Sequence, residues 1–122
     1  SSAASDVYKR QADSMSTLNL PEPIAAYFAA EHHPAALAHC FTPHAVMNDF
    51  GHRYVGIDAI KAFLAEASAK YSATSEPIAI EREGGCQLVR TRVTGNFPGS
   101  PTVLSYRFHL ERGLIAKLEI TA

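Results

Sequence analysis

The chain has no tryptophan, two cysteines and no surplus of charge: 11 lysines and arginines stand against 12 aspartates and glutamates, a formal net charge of −1 over 122 residues. Each shortage excludes something. Without a basic excess or a basic patch there is no electrostatic footprint for nucleic acid. No apolar run approaches the roughly 18 residues of a membrane-spanning helix, so no membrane association is expected. Cys40 and Cys86 form neither a CxxC pair nor a disulfide framework. They read as two reduced, semi-buried thiols, which suits a cytoplasmic protein. No charged segment followed by an apolar stretch opens the chain, so no export signal is expected. Aspartate is scarce as well, and none follows Asp58. What is present is 47% hydrophobic residues with balanced charge, the makeup of one globular domain.

The first fourteen residues, Ser1 to Ser14, are small, polar and aperiodic. Within them Asp6 to Gln11, DVYKRQ, resembles one reading frame of a transposase end used as a sequencing adapter. That resemblance implies a leader foreign to the fold, carried over from an assembled environmental read; a disordered tail is the alternative. The domain is expected over 15–122.

From Leu20 the pattern is periodic. Leu20-Pro21-Glu22-Pro23 opens a helix, with proline and glutamate suited to a first turn. Ile24, Tyr27 and Phe28 share its apolar face. Glu31-His32-His33 reads as a short connection. Pro34 starts a second helix carrying Leu37, Cys40 and Phe41, which Thr42-Pro43 is expected to stop. Ala45 to Asp49 and His52 to Val55 form a short hairpin about Phe50-Gly51. Ile57, Ile60, Phe63, Leu64, Ala67 and Tyr71 mark one face of a third helix. The period then changes to two. Strands are expected over Thr74 to Glu83, Cys86 to Phe97, Thr102 to Leu110 and Leu114 to Ile120, an antiparallel meander. Segregated helices and strands make the class α+β. A sheet with one apolar face over three helices leaves room for an interior cavity.

The stretches HCFTPHAVMNDFGHRYVGIDAIKAFL (His39 to Leu64) and VLSYRFHLERGLIAKLEI (Val103 to Ile120) resemble the nuclear transport factor 2-like superfamily, in particular its SnoaL-like and ketosteroid-isomerase-like branch. The resemblance spans nearly all of Leu20 to Ile120. It implies a cone-shaped curved antiparallel sheet packed on three helices around a pocket, a cystatin-like roll, often as a homodimer. It implies no single function, because this fold carries many unrelated activities.

Asp49 ends the first short strand, where the ketosteroid isomerases of that branch carry a catalytic aspartate. A carboxylate at the mouth of an apolar cavity is a usable base, since desolvation raises its pKa. The same residue also suits a turn cap for Phe50-Gly51. Tyr27 matches the tyrosine that hydrogen-bonds the substrate oxygen, although the connection after it is shorter here; it also reads as an ordinary core tyrosine. Tyr106 has inward parity with Leu104, Phe108 and Leu110 and falls near a second oxyanion acid, where tyrosine departs from the family pattern. Met47, Phe63, Phe28, Phe108 and His52 complete the expected pocket lining. Arg107 is out of phase with its strand's apolar residues and, with Glu81 and Glu83, marks a solvated or dimer-forming face. The epoxide-hydrolase and cyclase aspartate sets of the superfamily cannot be assembled, since no aspartate follows Asp58. An Asp49, His44 and His52 metal set is disfavoured, because His44 and Asp49 fall on opposite faces of a straight strand. The expectation is therefore a cofactor-free and metal-free pocket protein that moves a proton on a small hydrophobic carbonyl compound with Asp49 as base. The reaction would be of isomerase, dehydratase or cyclase type. The alternatives are a non-catalytic ligand-binding domain and a dimerising module.

Overall fold

The structure, a computed structural model, describes residues 18–122. The expectation for the first fourteen residues lies outside the described residues. Helix α1 (Glu22–Ala29) begins where Pro21 ends the extended entry: the Ile24 and Ala25 amides donate to the Pro21 carbonyl at 3.0 and 2.9 Å. Helix α2 (Pro34–Leu37) is a single turn that tightens into a 3₁₀ turn over Ala38–Cys40. Strands β1 (Phe41–Asp49) and β2 (His52–Val55) form the expected hairpin, with Asp49 opposite His52. Helix α3 (Ile57–Tyr71) starts at Gly56, whose φ of +89° suits glycine, and ends at a left-handed Ser72. Asp58 in its first turn and Lys70 in its last match the helix dipole. Strands β3 (Thr74–Glu83), β4 (Cys86–Thr94), β5 (Thr102–Glu111) and β6 (Leu114–Thr121) follow as the meander.

The six strands form one sheet in the order β2-β1-β6-β5-β4-β3. All neighbours are antiparallel except β1 and β6, which run parallel. This qualifies the expectation of a wholly antiparallel sheet. The meander starts at the far edge and returns, so its last strand reaches β1 only after the long crossover a parallel pair requires.

Two boundaries differ from the sequence reading. Phe41 opens β1 instead of closing a helix, because it pairs with Ile115 of β6. Thr42-Pro43 lies inside β1, where the register shifts between Phe41 and Val46. Strand β2 pairs only with Val46 to Asp49, so Pro43 sits where that side of β1 has no partner to miss its N–H. Strand β4 stops at Thr94, short of Phe97. There Gly95 passes so close to the end of α3 that a Cβ would stand 2.8 Å from the Tyr71 carbonyl oxygen. The Asn96 amide donates to that same oxygen at 2.7 Å.

The core lies between the helices and the inward face of the sheet. Ile24, Met47, Phe108, Ile115 and Leu118 are sealed in it, as is Ile60 of α3. Each such side chain contributes about 1.5–3 kcal/mol by leaving water. Cys40 and Cys86 are both free and buried, as the sequence suggested.

Candidate functional site

One transverse row of the sheet organises the site. The register places His52, Asp49, Ile120, Tyr106, Val89 and Ile80 side by side across all six strands. Facing residues in register share a face, so Asp49 and Tyr106 look the same way, two strand spacings or roughly 10 Å apart. Above that row lies a cavity of about 630 Å³. Its floor includes Ile120, Tyr106, Leu104 and Val93 of the sheet. One wall is α3, through Phe63, Leu64, Ala67 and Tyr71. The lip is formed by Phe97, Pro98 and Gly99 after β4, and by Phe50 beyond Asp49. The Gly95 contact described above holds that lip against α3, and Tyr71 meets Phe97 edge-on at 6.0 Å.

Four of the expected site residues line this cavity: Asp49, Tyr27, Tyr106 and Phe63. Tyr27, buried on α1, packs edge-on against Phe41 at 6.0 Å and Phe108 at 5.6 Å, and its ring centroid lies 6.5 Å from that of Tyr106. The other four lie elsewhere. Met47 and Phe108 have the right parity but are fully buried. They sit two residues further along the strands, opposite Leu118, where the core closes over them. Phe28 stacks on Tyr106 at 5.9 Å and lines a neighbouring hollow with Leu20, Thr74 and Asn96. His52 pairs with Asp49 but is exposed, because β2 is an edge strand. None of the six histidines lines the cavity. Among the described residues no group of three or more His, Cys, Asp or Glu side chains is placed to hold a metal ion.

The electrostatics of the row follow from burial. Desolvation raises the Asp49 carboxyl above its usual value, and the neighbouring His52 pulls it partly back. Burial raises Tyr27 well above the ordinary phenol, and Tyr106, Glu31 and Asp49 add to the shift. Burial also pushes Tyr106 up to about 12, although a hydrogen bond with Ser75 opposes it. The arrangement therefore holds a carboxyl that binds a proton more readily than usual beside two hydroxyls that keep theirs. It can exchange a proton with a bound molecule at Asp49 and donate hydrogen bonds from Tyr27 and Tyr106.

Glu31 is a lining residue that the sequence reading left in a connection. Its carboxylate accepts the Ser75 amide with both oxygens, the second at 3.0 Å. That bond ties the end of α1 to the start of β3. The available sequence signal was spacing: Glu31 continues the Ile24, Tyr27, Phe28 face by one more turn. Its partner lies 44 residues away, and nothing in the sequence points to it.

The SnoaL-like domain family matches residues 24–117. The chain belongs to the SnoaL-like family. A candidate polyketide cyclase from Sinorhizobium meliloti is 39% identical to this SnoaL-like chain, with a TM-score of 0.81 over 84% of this chain and 96% of that one. A cystatin-fold protein from Novosphingobium aromaticivorans shares 20% identity and a TM-score of 0.69 over 83% of this chain and 96% of that one. A candidate ketosteroid isomerase from Kribbella flavida shares 12% identity and a TM-score of 0.70, covering 82% of this chain and 74% of that one. The last two likenesses are of fold. A comparison with curated proteins finds no match. The SnoaL branch of the nuclear transport factor 2-like superfamily, inferred above from two stretches of sequence, is thus the chain's family, and its architecture is that of a small-molecule pocket protein. Among the described residues no helix is long and apolar enough to cross a membrane.

Proposed function

We propose that this SnoaL-like domain catalyses cofactor-free proton transfer on a small hydrophobic carbonyl compound. The observation that carries the reading is the half-buried Asp49 carboxyl in the wall of a largely apolar cavity that Tyr27 and Tyr106 also line. The carboxylate takes the proton from the carbon next to the carbonyl. The electron pair of that C–H bond moves toward the carbonyl oxygen, where a tyrosine hydroxyl donates a hydrogen bond to the developing charge. Asp49 then returns the proton to another carbon, an isomerisation, or the enolate expels a β-substituent or attacks a second carbonyl. Burial helps both roles: it strengthens the base and keeps the tyrosines protonated.

The test is Asp49→Asn assayed on a hydrophobic β,γ-enone, following solvent-deuterium exchange at the α-carbon. Loss of about 10²–10⁴-fold is expected, the usual worth of a positioned base. Undiminished exchange removes Asp49 from the mechanism. A binding role without turnover has one observation in its favour: Glu31, the second carboxylate of the lining, is already engaged by the Ser75 amide. Native mass spectrometry separates the two readings, since a stoichiometric, unchanged ligand carried through purification supports binding.

A further inference from the structure

The charge of the cavity lining is one-sided. Two carboxylates, Asp49 and Glu31, border it, and among the described residues the lining contains no lysine, arginine or histidine. Both carboxylates act on the same groups between them: each raises Tyr27, and each raises Tyr106. Basic side chains stand outside the lining: Lys70 Nζ lies 5.2 Å from the Tyr71 ring centroid. His52 is exposed beside Asp49, and His32 touches Glu31 from the solvent side at 3.3 Å while its other ring nitrogen contacts Ser68 at 3.0 Å. Two arginines of the sheet are engaged on carboxylates outside the cavity: Arg107 bonds Glu83 at 2.7 Å and Arg92 bonds Glu76 at 3.1 Å. The rest of the lining is rich in aromatic rings, namely Tyr27, Phe50, Phe63, Tyr71, Phe97 and Tyr106. Aromatic faces and carboxylates in a cavity of low polarity attract the same kind of group, a weakly hydrated cation on an apolar frame. They repel carboxylates and phosphates.

We propose that the cavity selects hydrophobic ligands bearing a protonated amine and rejects their anionic counterparts. This rests on the cavity being the ligand site of the proposed function, and it names the class of carbonyl compound: one carrying an amine. Glu31 then has a part that Asp49 need not share. Its backbone bond to Ser75 fixes its position, and its charge faces the ligand while Asp49 handles the proton.

Three probes of one shape decide it: 2-(2-naphthyl)ethylammonium, 2-(2-naphthyl)ethanol and 2-naphthylacetate, titrated by calorimetry into the full chain. The titrations are run at pH 8. The ammonium is expected to bind about tenfold or more tightly than the alcohol, with the carboxylate weakest. Glu31→Gln keeps an oxygen for the Ser75 amide and is expected to lose several-fold of the preference for the ammonium over the alcohol. Equal binding of ammonium and alcohol, or failure of all three to bind, overturns the proposal. The deuterium-exchange assay on Asp49→Asn fails or succeeds independently. A charge preference without exchange removes the catalytic reading alone, and exchange without a charge preference removes this one alone.

Discussion

Tyr106 and Arg107 are neighbours on β5 and face opposite sides of the same sheet. Tyr106 lies in a row with Asp49, Ile120 and Val89 over the cavity. Arg107 lies in the next row, between Leu88 and Glu119, on the outer face. There Arg107 bonds Glu83 at 2.7 Å, and Glu119 stands 3.4 Å from His109 and 3.8 Å from Lys117. On the inner face the Asp49 carboxyl has no such partner in the lining, and its pKa rises with burial. The contrast shows where this fold can hold reactivity. Solvent and paired side chains satisfy outer-face charge, whereas on the inner face desolvation holds the Asp49 carboxyl above its usual pKa.

That contrast can be broken from either side. The largest effect is expected from Phe108→Ala, which empties a fully buried site beneath Tyr27. A loss of about 3–5 kcal/mol in chemical denaturation is the expected outcome; a loss under about 1 kcal/mol would mean that the inner face is not packed as described. Gly95→Ala forces a methyl group against the Tyr71 carbonyl at 2.8 Å. It should cost about 1–3 kcal/mol and loosen the cavity lip, seen as faster amide exchange at Phe97. Tyr106→Phe removes one hydroxyl from the lining. It should slow the proposed exchange reaction about tenfold or more while stability moves by no more than about 1 kcal/mol.

The pH dependence of Asp49 sharpens the comparison further. Its pKa is raised in the folded state by desolvation. Between the unfolded and folded values the folded protein therefore binds more protons, and stability falls as pH rises through that window. Asp49→Asn removes this penalty. The variant is expected to melt above the parent at pH 7, with the gap closing at pH 3, where the parent carboxyl is protonated in both states. A parent that melts higher at pH 7 would show that the folded state favours the carboxylate. The smallest effect belongs to the outer face. Arg92→Ala breaks an exposed pair with Glu76 and should change stability by less than about 1 kcal/mol.

Much of this was legible in the residues. The change of period after Tyr71 marks the passage from helix to meander, and all four meander strands were anticipated within a few residues of their ends. Alternation on β5 put Tyr106 inward and Arg107 outward, since neighbouring side chains on a strand take opposite faces. The Phe50-Gly51 turn brought Asp49 opposite His52. Periodicity could not rank the inward residues by depth. Tyr106 and Phe108 share parity, yet only Tyr106 reaches the cavity; Phe108 is covered by the rings of Tyr27 and Phe28 from another element.

Element order, the face each strand residue takes and the family are written in the chain itself, because these depend on local period and on residues near one another in it. The tertiary structure decided the rest. It drew Phe41 into a strand through a parallel partner more than 70 residues away, because an extended segment is held by whichever backbone supplies its hydrogen bonds. It turned Glu31 from a connecting residue into a cavity carboxylate through the Ser75 amide. Among the described residues it also left the lining without a basic side chain, a property of which side chains meet in space, in a chain whose summed charge is close to neutral.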